Sequence, residues 1–265
     1  MWQDAFITAI TRAMRDVPHL DALWLGGSFG RGEADAYSDV DLIAVVAAEH
    51  QAGVTQDWRT QVEALVPIVL WYEARSGGAV HNAIGQGWER IDLLLTDDTG
   101  ALQRTRDGTR CLIDHAGLYD RLAAHRDWPG PDRARVAFLI DEFLRVLGLL
   151  PVVLGRREYL AARAGLEMQR MALFQLLSET VERPDKGGML AWSRRLPPDQ
   201  HALLERLPQA DLSEVSLVEA YRAVATAFLP RARALTAHWG IVWPTAFEAA
   251  TRAHLRRSLG VEVEV

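Results

Sequence analysis

Hydrophobic positions follow two different periods along the chain. In the first half, short apolar runs of strand length are separated by turn signals. They predict strands near residues 22–26, 40–47, 67–73, 79–84, 89–95 and 109–113. Before them, apolar side chains at helical spacing predict an amphipathic helix over residues 3–16. The first half is therefore expected to be a mixed β-sheet flanked by helices.

The second half carries apolar residues at intervals of three and four. This spacing predicts helices over residues 132–149, 156–182, 199–206, 214–238 and 244–258. A helical bundle is the natural way to bury their apolar stripes. Between the halves, residues 127–131 include two prolines and a glycine, which interrupt both helices and strands. We therefore expect an α+β protein with domains at residues 1–128 and 129–265.

A glycine turn and two aspartates lie at the ends of the first two predicted strands. The turn Gly26-Gly27-Ser28 follows the first strand, and Asp39 and Asp41 open the second after ten intervening residues. Because side chains alternate along a strand, both carboxylates should project to one side. Such a pair is a hard oxygen site of the kind that Mg²⁺ prefers. A bare Asp-x-Asp is usually solvated surface, so the linked glycine turn is what makes the pattern specific.

The turn has the groups needed to hold phosphate. Gly27 permits close backbone approach, and Ser28 offers a hydroxyl and a backbone N–H. Arg31 supplies a forked cation, and Ser38 could cap the turn or bind phosphate. No Gly-Lys-Ser/Thr follows, so this is not a Walker P-loop. Without the aspartates, a plain tight turn would be the simpler interpretation.

A third aspartate, Asp92, lies inside the apolar stretch of the strand predicted at 89–95. A buried charge is costly unless it is paired or bound to a metal. A strand beside Asp39 and Asp41 would give Asp92 such a role. The alternative is a position at a strand edge, facing water or a nearby arginine.

The Gly-Gly-Ser turn, the ten-residue spacer, Asp-Val-Asp and the later Ile-Asp-Leu together resemble the DNA polymerase β-like nucleotidyltransferase superfamily, over roughly residues 20–95. The length and the helical second half make the chain similar to the small nucleotidyltransferases that adenylylate aminoglycoside or lincosamide antibiotics. The resemblance implies a catalytic first domain and a helical domain that binds the acceptor.

The resemblance also implies roles for individual residues. Gly27 and Ser28 would contact the nucleotide phosphates. Asp39 and Asp41 would hold magnesium ions, and Asp92 would be the third carboxylate.

The catalytic base is left open. In some members of the superfamily the third aspartate is the base, and in others it is a glutamate from the helical domain. Glu142 is the preferred glutamate because it lies near the apolar stripe of the helix at 132–149, with Glu158 and Glu167 as alternatives. Acids on helices are more often simply solvated.

The expected reaction is Mg²⁺-dependent transfer of a nucleoside monophosphate, AMP from ATP, to a small-molecule hydroxyl in the cleft between the domains, with release of pyrophosphate. The expected acceptor is an aminoglycoside or a lincosamide. The alternatives are a transferase acting on protein or RNA, including the antitoxin type, and a catalytically inactive nucleotide-binding module.

Charge changes this picture modestly. The whole chain has a formal charge of −6. Residues 1–130 contain 11 Arg against 19 Asp and Glu, a net of −8, whereas residues 131–265 have a net of +2. An acidic first half argues against an extended nucleic-acid partner and suits a cationic acceptor.

Composition points to an intracellular protein. The lone Cys111 excludes a disulfide framework and a cysteine-based metal site. Neither a signal peptide nor an apolar run of bilayer length is visible. We therefore expect a cytoplasmic protein without a membrane partner, and the resemblance makes a homodimer possible.

Overall fold

The computed structural model describes residues 2–74, 80–183, 190 and 195–260. The chain forms two compact units, Met1–Arg126 and Asp127–Val265. The strands of the first unit are β1 Ala22–Leu25, β2 Val40–Val45, β3 Ile68–Ala74, β4 Val80–Gly85, β5 Arg90–Thr96 and β6 Arg110–Asp114. Its helices are α1 Trp2–Met14, α2 Gly27–Gly30, α3 Gln51–Leu65 and α4 Asp98–Ala101.

The six strands form one mixed sheet in the order β3-β4-β5-β2-β1-β6. Strands β2 and β5 are parallel, and the other neighbours are antiparallel. The parallel pair is central to the site, because it sets Asp41 directly opposite Asp92. The predicted α+β class, with a mixed sheet followed by a helical part, is confirmed.

Alternation along the strands places a hydrophobic cluster on each face of the sheet. Leu42 and Leu93 pack in one cluster with α1 and α3. Ile43 and its neighbour across the sheet, Trp24, belong to the other cluster, which the segment after β6 covers with Leu118. Both faces of β2 are thus buried. This packing on two sides fixes the position of the start of the strand.

Helix α3 was not predicted. Its buried residues Val54, Trp58 and Val62 recur every four positions, which is a helical signal. The segment has many polar residues between these positions, so the signal is weak. Strand β4 was predicted at 79–84 and is seen from Val80; residue 79 lies outside the described residues.

The second unit is helical among its described residues. Its helices are α5 Arg133–Gly155, α6 Tyr159–Glu179, α7 Pro198–Glu205, α8 Glu214–Trp239 and α9 Thr245–Leu259. Their apolar faces form one core, in which Phe143 and Phe228 stack at 3.9 Å between ring centroids. Helix α5 runs through Pro151 past its predicted end at 149, because Leu150 and Leu154 are buried in that core.

None of the described helices has both the length and the apolar character needed to cross a lipid bilayer.

Candidate active site

Three carboxylates converge at the edge of the sheet where β2 and β5 begin. Asp39, Asp41 and Asp92 each offer an oxygen, and these oxygens all lie within 4.8 Å of one another. Asp41 and Asp92 face each other across the parallel pair, and Asp39 precedes β2 by one residue. Val40, between the two aspartates, is fully buried in the core. The structure thus brings together the three aspartates that the sequence indicated, while their roles stay predictions.

The three negative charges oppose one another. Burial, followed by the charges of Asp39 and Asp92, raises the pKa of Asp41 to about 6, although Arg31 and Arg90 act in the other direction. The pKa of an ordinary aspartate is 3.8. The folded protein therefore disfavours the charged form of Asp41 unless a cation is bound beside it.

Burial also raises the pKa of Asp92. A hydrogen bond from the Asn82 side chain lowers it, and Asp39 raises it further. This carboxylate is thus partly desolvated but has a fixed polar neighbour.

Sequence reasoning missed Arg90. Its Nη1 lies 3.2 Å from Asp39 Oδ2, and its Nη2 donates to the Tyr37 carbonyl at 2.9 Å. Arg90 therefore ties the loop before β2 to the start of β5. The available signal was its position two residues before Asp92, which puts both side chains on the same face of a strand.

The glycine turn lies directly against these acids. Gly27 has a φ of +53°, and a Cβ there would stand 1.8 Å from Asp41 Oδ2. Only glycine fits this position, for both conformation and space. The Gly26 N–H donates to the Asp41 carbonyl at 2.9 Å, so the turn is fixed to β2. The short helix α2 begins within this turn, at Gly27.

The buried hydroxyl of Ser28 has no hydrogen-bond partner among the described residues. A buried hydroxyl normally has one, so Ser28 fits an external acceptor such as a phosphate oxygen. Arg31 pairs with Glu33 at 3.0 Å and its charge also reaches Asp41. The Ser38 hydroxyl is engaged with Asp35 in a turn. Its contact with phosphate therefore stays a prediction, without support from this geometry.

Glu142 lies on α5 in the second unit. Both its carboxylate oxygens accept hydrogen bonds from Arg145, at 2.7 and 2.5 Å. The hydrogen bond from Arg145 lowers the pKa of Glu142, which makes it a weaker base than an unpaired glutamate. Glu167 is also paired, with Arg163 and Arg170. The assignment of Glu142 as a base stays a prediction.

The sequence profile of the nucleotidyltransferase domain family matches residues 9–74. The N-terminal unit contains a nucleotidyltransferase domain. The match includes the glycine turn, Asp39 and Asp41, and it ends before Asp92. The predicted enzyme class, a nucleotidyltransferase, is confirmed at this level. No curated protein matches the chain significantly.

Solved structures with a similar arrangement include three nucleotidyltransferase-type proteins. An aminoglycoside 6-adenyltransferase from Bacillus subtilis is 14% identical, with 96% of this chain and 97% of that chain covered and a TM-score of 0.44. A nucleotidyltransferase-like protein from Exiguobacterium sibiricum is 15% identical, with 98% and 89% covered and a TM-score of 0.37. The Thermotoga maritima CCA-adding enzyme is 13% identical, with 97% and 70% covered and a TM-score of 0.36. At TM-scores below 0.5, these similarities carry no argument about the acceptor.

Proposed function

We propose that this chain is a Mg²⁺-dependent nucleotidyltransferase that moves a nucleoside monophosphate, AMP from ATP, to a hydroxyl of a small molecule. The observation that carries the proposal is the cluster of Asp39, Asp41 and Asp92, whose oxygens lie within 4.8 Å of one another. Two of the three, Asp39 and Asp41, lie within the segment that matches the nucleotidyltransferase domain profile, residues 9–74.

The donor set fits a hard divalent cation. Three carboxylates offer only oxygen, which suits Mg²⁺ and Mn²⁺ better than softer metals. The raised pKa of Asp41 indicates negative charge that the protein alone does not neutralise. Divalent ions held by Asp39, Asp41 and Asp92 would offset the charge of the triphosphate and of the departing pyrophosphate.

The residues of the turn would bind the triphosphate. Gly27 leaves room beside Asp41, and the unpartnered Ser28 hydroxyl would donate to a phosphate oxygen. Arg31 would add a positive charge on the same side. Positioning of this kind accounts for most of the rate enhancement in phosphoryl and nucleotidyl transfer.

The base that we propose is Asp92. The acceptor hydroxyl oxygen forms a bond to the α-phosphorus, the bond from that phosphorus to the pyrophosphate oxygen breaks, and the hydroxyl proton passes to a carboxylate. Burial raises the pKa of Asp92, whereas the hydrogen bond from Arg145 lowers that of Glu142. Asp92 is thus the better proton acceptor of the two, and Glu142 is the alternative.

The acceptor class that we propose is an aminoglycoside or a lincosamide, which would make the protein an antibiotic-resistance enzyme. Its support is electrostatic. The first 130 residues have a net charge of −8, and an acidic surface attracts amine-bearing acceptors and repels RNA. Polycationic aminoglycosides fit this charge better than lincosamides do.

Pyrophosphate release tests the proposal. The wild-type protein is incubated with Mg²⁺ and each of the four NTPs, across a panel of aminoglycosides and lincosamides, and products are identified by mass spectrometry. Asp39→Asn and Asp41→Asn should each lower the rate of pyrophosphate release by at least about 100-fold. Removing a residue that only hydrogen-bonds a metal ligand costs up to about 100-fold, and removing a ligand itself should cost at least as much. Asp57→Asn, on the exposed side of α3, is the matched control and should keep the wild-type rate.

The outcomes separate the alternatives. Full turnover by Asp39→Asn would overturn the metal assignment. If the wild-type protein binds Mg²⁺–ATP but releases no pyrophosphate with any drug, the antibiotic acceptor is wrong. Intact-mass measurement of protein substrates then tests for protein adenylylation, and its failure would favour an inactive nucleotide-binding module.

A further inference from the structure

One row of side chains crosses four strands at the level of the site. Asp41 on β2 pairs with Asp92 on β5, Asp92 pairs with Asn82 on β4, and Asn82 pairs with Tyr72 on β3. Residues directly opposite each other across a pair of strands share a face of the sheet. Asn82 and Tyr72 therefore extend the row of carboxylates toward the edge of the sheet.

Asn82 is unusual for its position. It is the only asparagine of the chain, and asparagine is disfavoured in strands. The next residue, Ala83, is fully buried and faces the core on the other side. Neither strand propensity nor core packing explains an asparagine here.

The contact that Asn82 makes is with the site. Asn82 lies directly opposite Asp92 across the β4–β5 pair, its side chain is half-buried, and its amide lowers the pKa of Asp92. Because an ionised carboxylate only accepts, the amide NH₂ of Asn82 is the donor. A hydrogen bond donated across this pair would restrict the orientation of the Asp92 carboxylate and leave it further lone pairs.

The carboxylate of Asp39 also has a polar neighbour. Arg90 binds Asp39 at 3.2 Å, and Asn82 faces Asp92 across the β4–β5 pair. Carboxylates that bind metals are commonly oriented by such outer hydrogen bonds, and their loss weakens metal binding.

We propose that Asn82 is a positioning residue of the metal site, whose amide holds the Asp92 carboxylate toward Asp39 and Asp41. The inference rests on the proposed function, because it takes Asp92 to be a metal ligand. If Asn82 had a purely structural role, its replacement would change the stability of the protein and leave its metal affinity unchanged.

A comparison of two shape-matched variants tests this role. Asn82→Thr keeps a side-chain donor, and Asn82→Val has the same shape without one; both are good strand formers, so both should fold. Affinity for Mn²⁺ is measured by electron paramagnetic resonance in the presence of α,β-methylene-ATP. Thermal unfolding without Mn²⁺ reports on the fold. Tyr72→Phe, on the far side of Asn82 from Asp92, is the control.

We expect Asn82→Val to bind Mn²⁺ at least about 10-fold more weakly than wild type. Asn82→Thr should recover most of this loss, and Tyr72→Phe should bind as wild type does. Equal affinities of Asn82→Val and Asn82→Thr would overturn the inference alone. If the wild-type protein itself fails to bind Mn²⁺ with the analogue, the proposed function falls and this inference falls with it.

Discussion

The residue that best reports on the state of the site is Asp41. Its carboxylate is partly buried beside Asp39 and Asp92, and burial and these two charges raise its pKa to about 6. In an unfolded chain its pKa would be near 3.8. The folded, metal-free protein therefore binds this proton more tightly than the unfolded chain does.

This difference makes stability depend on pH. The stabilising contribution of Asp41 is fully present below pH 3.8 and is lost as pH rises through about 6. At pH 7 without metal, Asp41→Asn should raise the free energy of unfolding by about 3 kcal/mol, because it removes a charge that the folded state disfavours by about that much. Urea denaturation in EDTA at pH 7 measures the gain.

Two further measurements test whether the charge of Asp41 causes the difference in stability. At pH 3.5 the difference between wild type and Asp41→Asn should become small, because the carboxyl is then protonated in the folded state and mostly protonated in the unfolded chain. Addition of Mg²⁺–ATP at pH 7 should stabilise wild type and leave the variant unchanged. If Asp41→Asn were less stable than wild type at pH 7 in EDTA, the charge of Asp41 would not be destabilising, and this explanation would be wrong.

Most of the site residues could be found from sequence, but their partners could not. The glycine turn and Asp39-Val40-Asp41 are local motifs with fixed spacing. Arg90 and Asn82 show no motif, because their contacts depend on the pairing of β5 with β2 and β4. Such pairing joins distant segments, and a sequence pattern does not determine it.

At the scale of elements, strands bounded by turn residues and helices with strong apolar stripes were predicted well. Helix α3 was missed because only Val54, Trp58 and Val62 mark its buried face. The end of α5 was set too early, at residue 149, because the helix continues through Pro151 to bury Leu154. In such cases tertiary packing overrides the local sequence preference.

Helix α9 is attached to α8 partly through polar contacts. Its Glu248 is 3% exposed and accepts hydrogen bonds from Trp243 at 2.7 Å and Arg252 at 3.1 Å. Arg233 of α8 binds the same carboxylate and stacks on the Trp243 ring. Burial alone would raise the pKa of Glu248, but these hydrogen bonds outweigh it and lower the pKa.

We expect Glu248→Ala to destabilise α9 by about 3 kcal/mol, because it removes the shared acceptor of a buried network. The measurement is amide hydrogen exchange over residues 245–259, which should become about 100-fold faster. Glu167→Ala is the matched control: Glu167 is half-exposed and paired with Arg163 and Arg170 at 3.7 and 3.8 Å. Its loss should cost less than about 1 kcal/mol. Equal effects of the two variants would refute the role given to burial.

At the scale of the molecule, each unit has a hydrophobic core of its own. The first unit buries both faces of its sheet, with residues from Phe6 to Leu122. The second buries residues from Val136 to Leu255. The glycine turn and all three aspartates belong to the first unit. A unit with its own hydrophobic core meets the usual criteria of an autonomous domain, and this one also contains the whole carboxylate cluster.

We therefore expect residues 1–126, expressed alone, to unfold cooperatively and to bind Mn²⁺, with circular dichroism and electron paramagnetic resonance as the measurements. A shorter fragment, residues 1–104, is the control. It keeps the aspartates but lacks β6, Leu118 and Leu122, so Trp24 and Ile43 lose their cover. This fragment should neither unfold cooperatively nor hold the metal. If residues 1–126 behave like the control, the carboxylate cluster needs more of the chain than its own core, and the boundary between the units has been placed too early.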